Sequence, residues 1–260
     1  MKNHFILASA GAAAGLLGGL LGIGGGTVIV PMLVLLLGKT QKKAQGISLV
    51  CACLIAVFAL TRYAFHGNVD FAFGLYIIAG GIAGSAGGSY IVKRINTRLL
   101  RIIFICLLLL TAANIIFSGV TEQGLFGLRP APEVNPALYA KLVLLGVASG
   151  VLSGLLGIGG GIVLVPCMLL VGVEQKVAQG ISLLCIIPTS VTGVILQSRW
   201  GNVDLKAGLT AGFAAGVFSL IGSDLAAFAH YRALRIIFGI FLLVVTGLMI
   251  KTLAQKQGER

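Results

Sequence analysis

Long stretches without a charged side chain dominate this chain. Five of them contain no Asp, Glu, Lys or Arg, at residues 3–38, 71–92, 102–121, 142–173 and 177–198. A helix that crosses the hydrocarbon core of a bilayer needs about 17–25 mostly apolar residues. The pattern therefore predicts an all-α, polytopic membrane protein.

The amino-acid composition agrees with this pattern. Hydrophobic residues make up 58% of the 260 positions and charged residues 10%, whereas a soluble domain carries about a quarter charged residues. The five cysteines all lie in apolar stretches, where a cysteine behaves as a small hydrophobic residue. These observations exclude a soluble enzyme, a disordered chain and a secreted module held together by disulfides.

The chain contains two copies of one unit. Residues 11–31 and 146–166 are identical at fifteen of 21 positions. After a one-residue deletion an offset of 134 relates the copies, so that 44–49 matches 178–183. The polar, proline-rich segment between the copies is expected outside the bilayer. We therefore predict a first transmembrane repeat at 1–118, an extracytoplasmic linker at 119–137 and a second transmembrane repeat at 138–260.

The leading apolar segment of each copy is too long for a single crossing. Residues 5–38 would form a helix of about 50 Å, against a hydrocarbon core of about 30 Å. Both leading segments are interrupted by Gly-Ile-Gly-Gly-Gly, and each glycine lowers helix stability by up to about 1 kcal/mol. We predict two short helices joined by an unwound turn, followed by three spanning helices. Pro31 and Pro166 are expected near the first turn of the second short helix, where a missing N–H costs least.

The distribution of basic residues favours one topology. If each leading segment enters the membrane and returns to the same side, 13 of the 19 basic residues lie on one side and 6 on the other. A single crossing would divide them 10 to 9. The first division follows the positive-inside rule and predicts both termini in the cytoplasm. Each copy then crosses an odd number of times, which gives inverted repeats, a common plan of secondary transporters.

The glycine signature resembles a known family. At residues 22–26 through Pro31, followed by 44–48, and at the same series in the second copy, the chain resembles the TauE/SafE family of membrane permeases, the so-called sulfite exporters. The similarity covers nearly the whole chain. The resemblance implies a multi-pass permease of the cell membrane for small anions, typically sulfur-containing oxyanions or organosulfonates. It also implies ion-coupled transport, with a proton or a sodium ion as the coupling ion.

We expect the substrate at the two glycine turns. Consecutive glycines leave backbone N–H groups uncovered, and the N-terminus of the following helix favours negative charge. In transporters such half-helix junctions lie near the bilayer midplane, where the substrate binds. The alternative is that these glycines only allow helices to pack closely. The candidate residues are Gly24, Gly25, Gly26 and Thr27 in the first copy and Gly159, Gly160 and Gly161 in the second.

Polar side chains near the start of the next helix add donors in both copies. Gln45 and Ser48 are three residues apart and therefore share a helix face, and Gln179 and Ser182 repeat them. An amide and a hydroxyl can donate hydrogen bonds to an oxyanion. The alternative is a role in capping this helix or joining it to its neighbours. The second copy adds the hydroxyls of Thr189, Ser190 and Thr192 beside Pro188, which makes it the candidate source of substrate selectivity. The alternative is that this part of the helix is only kinked and packed.

Three aspartates have distinct expectations. Asp224 is the one carboxylate well inside an apolar run, and intramembrane acids are costly and often functional. It is a candidate for proton coupling, with pairing to a basic residue or solvation at the interface as alternatives. Asp70 and Asp204 each end a Gly-Asn-Val-Asp turn and are predicted to cap the following helices.

These features favour a secondary carrier for small anions that alternates access around the two turns. The alternatives are an anion channel that uses the same helix ends as a filter, and a membrane-embedded scaffold or enzyme. The sequence has no nucleophile–base pair, paired carboxylates or metal-ligand grouping, so we expect no enzymatic activity, cofactor or metal. The net charge of +12 comes from basic residues between the apolar stretches and needs no nucleic acid. The expected partners are a small anion and the lipid bilayer.

Overall fold

All regular secondary structure that can be described in this protein is helical. The computed structural model describes residues 2–91, 102, 105–106, 108–113, 136–156 and 160–258. Within them the predicted all-α class is confirmed. A helical stretch at 108–113 precedes the predicted linker, which lies outside the described residues up to position 135. The other helices are α1 (Lys2–Leu21), α2 (Gly26–Leu37), α3 (Gln41–Phe65), α4 (Phe71–Ile91), α5 (Pro136–Leu156), α6 (Gly161–Val171), α7 (Gln175–Arg199), α8 (Leu205–Phe228) and α9 (Tyr231–Gly258).

Four of the described helices are long and apolar enough to cross a membrane. They are Lys42–Phe65 within α3, the whole of α7, the whole of α8 and Arg232–Ile250 within α9. Shorter apolar stretches lie in α1, α2, α4, α5 and α6. Length and composition thus agree with the multi-pass membrane protein predicted from the sequence.

The leading segment of the first copy is interrupted at its glycines. Helix α1 ends at Leu21, α2 begins at Gly26, and Gly22, Gly24 and Gly25 between them have φ angles of 67°, 71° and 67°. An L-residue with a side chain rarely adopts this left-handed conformation. Helix α2 folds back along α1, because its buried residues Ile29 and Leu33 share one apolar cluster with Leu7 and Ala14 of α1.

In the second copy α5 ends at Leu156 and α6 begins at Gly161, preceded by Gly160 with a φ angle of 78°. Gly159 lies outside the described residues. Pro31 and Pro166 are each the sixth residue of their helix, α2 and α6. The prediction that they lie near the first turn was wrong by about one turn, because both helices start at the last glycine of the motif.

Aspartate side chains cap the N-termini of α4 and α8, as predicted. Asp70 Oδ1 accepts a hydrogen bond from the amide of Phe73 at 3.0 Å, and Asp204 Oδ1 accepts one from Ala207 at 3.1 Å. Asp204 Oδ2 also lies 3.5 Å from Lys39 Nζ. The Ala207 amide, followed by Lys39, holds the pKa of Asp204 below its usual range. Through Lys39 and Asp204, the segment between α2 and α3 contacts the N-terminal end of α8.

Glycines allow two pairs of helices to approach at backbone distance. Helix α1 packs most extensively on α8, and α4 on α5. A Cβ on Gly11, Gly15 or Gly19 of α1 would overlap the backbone of Ala211, Ala215 or Ser219 of α8, in that order. The order of contacts shows that α1 and α8 run in the same direction. In the second pair, Gly80 and Gly84 of α4 face Val143 and Val147 of α5 in the same way.

Several contacts occur twice, with the roles of the copies exchanged. Gly46 at the start of α3 packs on the backbone of Asn202, and Gly180 at the start of α7 packs on Asn68. The same exchange relates two thiol contacts, from Cys51 to the Gly208 carbonyl at 3.5 Å and from Cys185 to the Gly74 carbonyl at 3.9 Å. Both cysteines are buried in these helix contacts, as small hydrophobic residues often are.

Candidate functional site

The glycine turn of the first copy touches the start of α6 in the second. A Cβ placed on Gly161 would lie 2.9 Å from the Cα of Ile23 and 2.9 Å from Ser182 Oγ. The Ile186 side chain lies next to both turns, because its Cδ1 would be 3.1 Å from a Cβ on Gly24 and 2.7 Å from a Cβ on Gly161. Ile186 is near the middle of α7. The two interrupted segments therefore meet halfway along the long helices.

Backbone amides at both turns lack a carbonyl partner. The carbonyl of Gly25 accepts from the third and fourth amides of α2 at 3.0 and 3.1 Å, and that of Gly160 accepts from the third and fourth amides of α6 at 3.1 Å each. Among the described backbone hydrogen bonds, none has the first two amides of either helix as donor. The first amides of a helix carry its partial positive charge. Each turn thus has two backbone N–H groups without a carbonyl partner among the described residues.

Four predicted side chains carry donors without a partner among the described residues. They are the buried atoms Thr27 Oγ1, Gln179 Nε2, Ser182 Oγ and Ser190 Oγ. An unpartnered buried polar group costs about 1–3 kcal/mol, so such groups are rare unless they serve a ligand or water. Gln179 is close to the first turn, because a Cβ placed on Gly22 would lie 2.5 Å from the Cβ of Gln179.

The corresponding polar residues of the first copy are placed differently. Ser48 is buried, with 2% of its surface exposed, whereas Gln45 is half-buried and has an interaction partner. The sequence equivalent of the contact between Gly22 and Gln179 would join Gln45 to Gly157, which lies outside the described residues. Gly25 has a packing role of its own, because a Cβ there would lie 2.6 Å from the Ala14 carbonyl oxygen.

A small cavity lies against the second turn. It measures about 20 Å³ and lies between α4, α5, α6 and α7. This volume has room for about one water molecule. Two of its hydroxyls donate to backbone carbonyls, that of Ser149 to Gly146 at 2.9 Å and that of Thr189 to Cys185 at 2.9 Å. The third, Ser182, is the unpartnered donor in the lining.

Asp224 does not line this cavity. Its carboxylate lies 2.6 Å from Arg62 Nε and 3.3 Å from His66 Nε2. The structure therefore favours the alternative in which Asp224 pairs with a basic residue. Both partners come from the C-terminal end of α3, and sequence reasoning missed them. Their spacing of four residues, which places them on one helix face, was the available signal.

Sequence reasoning also missed Tyr63. Its hydroxyl lies in the core, 3.1 Å from the Gly19 carbonyl oxygen and 3.1 Å from Gln179 Oε1. The second copy has Gln197 at the corresponding position, so the repeat gave no signal for this residue.

Comparison with known proteins gives the class of this molecule. The chain is similar to the probable membrane transporter protein YunE of Bacillus subtilis, with 30% identity over 78% of this chain and 81% of the relative. It is also similar to the probable membrane transporter proteins YdhB of Bacillus subtilis, with 31% identity over 73% and 77%, and MJ0441 of Methanocaldococcus jannaschii, with 30% identity over 73% and 70%. Together with the apolar helices, these relatives define a multi-pass membrane transporter.

The family follows from a match over most of the chain. Residues 1–115 and 142–260 match the family model described as Sulfite exporter TauE/SafE. The chain therefore belongs to the TauE/SafE family, and the resemblance noted in its glycine signature is confirmed.

Proposed function

We propose that this protein is a secondary carrier for a small anion, a sulfur-containing oxyanion or an organosulfonate, bound where the two glycine turns meet. One observation carries the proposal: the unpartnered hydroxyl of Ser182 lies beside Gly161, at the contact between the two turns. The free amides of α2 and α6 supply partial positive charge to the same region. A carrier of this kind holds its anion with neutral donors and needs no lysine or arginine at the site.

Alternating access rests on an inverted arrangement of the two repeats. Helices α3 and α7 are equivalent in sequence, and their contacts support opposite directions. Leu49, early in α3, packs on Gly193, late in α7, whereas Tyr63, late in α3, bonds to Gln179, early in α7. The contacts that recur with exchanged roles support the same arrangement. Inverted repeats allow one half to move against the other around a fixed site.

Alternating access would act at the cavity beside the second turn. It lies between α4, α5, α6 and α7, so movement of α4 and α5 relative to α6 and α7 would open or close it. The positive-inside distribution supports cytoplasmic termini in the cell membrane, and the return of α2 along α1 supports re-entrant leading segments.

Reconstitution tests the carrier proposal against a channel. The purified protein in liposomes is expected to take up sulfite, thiosulfate or taurine with saturation, at a turnover far below that of a channel. Large anion currents in planar bilayers would favour the channel. If none of these anions binds or crosses the membrane, the proposed substrate class is wrong.

A serine substitution tests the site itself. Ser182→Ala removes a buried hydroxyl without a partner, so the free energy of unfolding should stay the same or rise. The affinity for the transported anion should fall about ten- to hundredfold, because a hydrogen bond to a charged group is worth about 1.5–3 kcal/mol. Binding assays and thermal unfolding are measured on the same preparation.

The matched control is Ser223→Ala in α8. The hydroxyl of Ser223 is also buried, but it donates to the Ser219 carbonyl at 2.8 Å. This variant should keep wild-type affinity. Wild-type affinity in Ser182→Ala as well would assign Ser182 to packing.

A further inference from the structure

Tyr63 connects the interrupted end of α1 to the second repeat. Its side chain is buried in the core, with 2% exposed. The hydroxyl lies 3.1 Å from the carbonyl oxygen of Gly19 and 3.4 Å from that of Leu20. Helix α1 ends at Leu21, so these carbonyls belong to the last turn, where no later amide of the helix can reach them. The glycine break thus leaves two carbonyl acceptors open beside Tyr63, and they compete for the single proton of its hydroxyl.

The same hydroxyl reaches Gln179 of α7, at 3.1 Å from Oε1. With its oxygen end at Tyr63, the side-chain amide of Gln179 keeps its NH₂ group buried, and no described residue accepts a hydrogen bond from it. An amide has a donor end and an acceptor end of nearly the same shape, so its direction depends on its neighbours. When the hydroxyl donates its one proton to Oε1 and not to a carbonyl of α1, it selects the direction in which the NH₂ group is available to a ligand.

We infer that Tyr63 is a positioning residue, which orients the amide of Gln179 so that its NH₂ group faces the anion. The inference rests on the proposed function. Without the Tyr63 hydroxyl, the amide can turn by half a rotation and present Oε1, which repels an anion. The sequence does not repeat this pair of residues in the other half of the molecule. Gln197 stands at the position equivalent to Tyr63, and Gln45, equivalent to Gln179, is half-buried.

Tyr63→Phe removes the hydroxyl and keeps the ring. The full-length variant is reconstituted beside wild type, and half-saturation and maximal rate are measured for sulfite, thiosulfate and taurine. Half-saturation should rise about two- to tenfold, as expected for one lost hydrogen bond, with the maximal rate nearly unchanged. Tyr76→Phe in α4 is the matched control, because Tyr76 is partly exposed and stacks on Tyr139. It should behave as wild type.

A double variant separates positioning from packing. If Tyr63 acts through Gln179, adding Tyr63→Phe to Gln179→Ala should weaken anion affinity no further. Additive losses in affinity, or a lower melting temperature with unchanged half-saturation, would overturn the inference.

The two proposals fail in different ways. A lower affinity in Gln179→Ala with wild-type half-saturation in Tyr63→Phe would overturn the role of Tyr63 and leave the anion site standing. Wild-type affinity in both Gln179→Ala and Ser182→Ala would overturn the proposed site, and the role of Tyr63 with it.

Discussion

Individual glycines in the first turn serve conformation and packing together. Gly25 and Gly38 both have left-handed backbones, with φ angles of 67° and 59°. A Cβ on Gly25 would lie 2.6 Å from the Ala14 carbonyl oxygen and 2.7 Å from Ile55 Cδ1, whereas a Cβ on Gly38 meets nothing within 4 Å. A substitution at Gly38 therefore measures the cost of backbone strain alone, and one at Gly25 adds the cost of overpacking.

Gly38→Ala should lower the free energy of unfolding by about 1–2 kcal/mol, the cost of a left-handed alanine. Gly25→Ala should lower it by a further 1–3 kcal/mol or so, because the added methyl group overpacks the contact between α1 and α2. Thermal unfolding of both variants in one detergent gives the comparison. Equal losses would mean that α1 and α2 can separate freely at this point.

The sequence predicted part of the site at this scale. The repeat singled out Gln179 and Ser182, because an amide and a hydroxyl recurred on one helix face. It could not distinguish Gln179 from Gln45, since the difference in burial between the two amides arises from tertiary packing. Tyr63 and the partners of Asp224 were missed for the same reason: each contact joins residues more than 100 positions apart.

Among the helices, close approach depends on small residues. Gly15 in α1 faces the backbone of Ala215 in α8, while Gly247 in α9 has nothing within 4 Å of its would-be Cβ. Both glycines lie inside helices, so alanine improves helix propensity equally at the two sites, by up to about 1 kcal/mol. The difference between the two variants then measures the packing of α1 on α8.

Gly247→Ala should stabilise the protein slightly, whereas Gly15→Ala should destabilise it by a few kcal/mol, because α1 and α8 must move apart. Melting temperatures of the two variants against wild type provide the measurement. A rise in melting temperature for Gly15→Ala would show that the two backbones are not in contact in the membrane.

The interruption of α1 and α2 and the aspartate caps were predictable from local chemistry. The positions of Pro31 and Pro166 were not, because the sequence does not show at which glycine a helix starts. The pairing of α1 with α8 was also beyond prediction. Glycines spaced four apart indicate a close contact but do not name the partner helix.

For the whole molecule, the inverted arrangement makes a direct prediction about sidedness. Thr40 and Glu174 occupy equivalent positions, before α3 and α7, and both are exposed. In a background without the five native cysteines, Thr40→Cys should react with a membrane-impermeant thiol reagent only after the cells are opened. Glu174→Cys should react in intact cells. Labelling of both from the same side would contradict inverted repeats.

The repeat does not duplicate the ion pair between Arg62 and Asp224. Leu196 of the second copy stands at the position equivalent to Arg62, and Tyr90 of the first copy at the position equivalent to Asp224. A strictly two-fold carrier would have inward-facing and outward-facing states of equal free energy. A partly exposed pair contributes up to about 1 kcal/mol, which changes the ratio of two populations by about fivefold. If the pair forms in one state and breaks in the other, half-saturation differs between the two faces of the membrane. The equilibrium distribution of the transported anion is unaffected. One asymmetric contact in a duplicated protein would therefore change the transport rates from the two sides without changing the driving force.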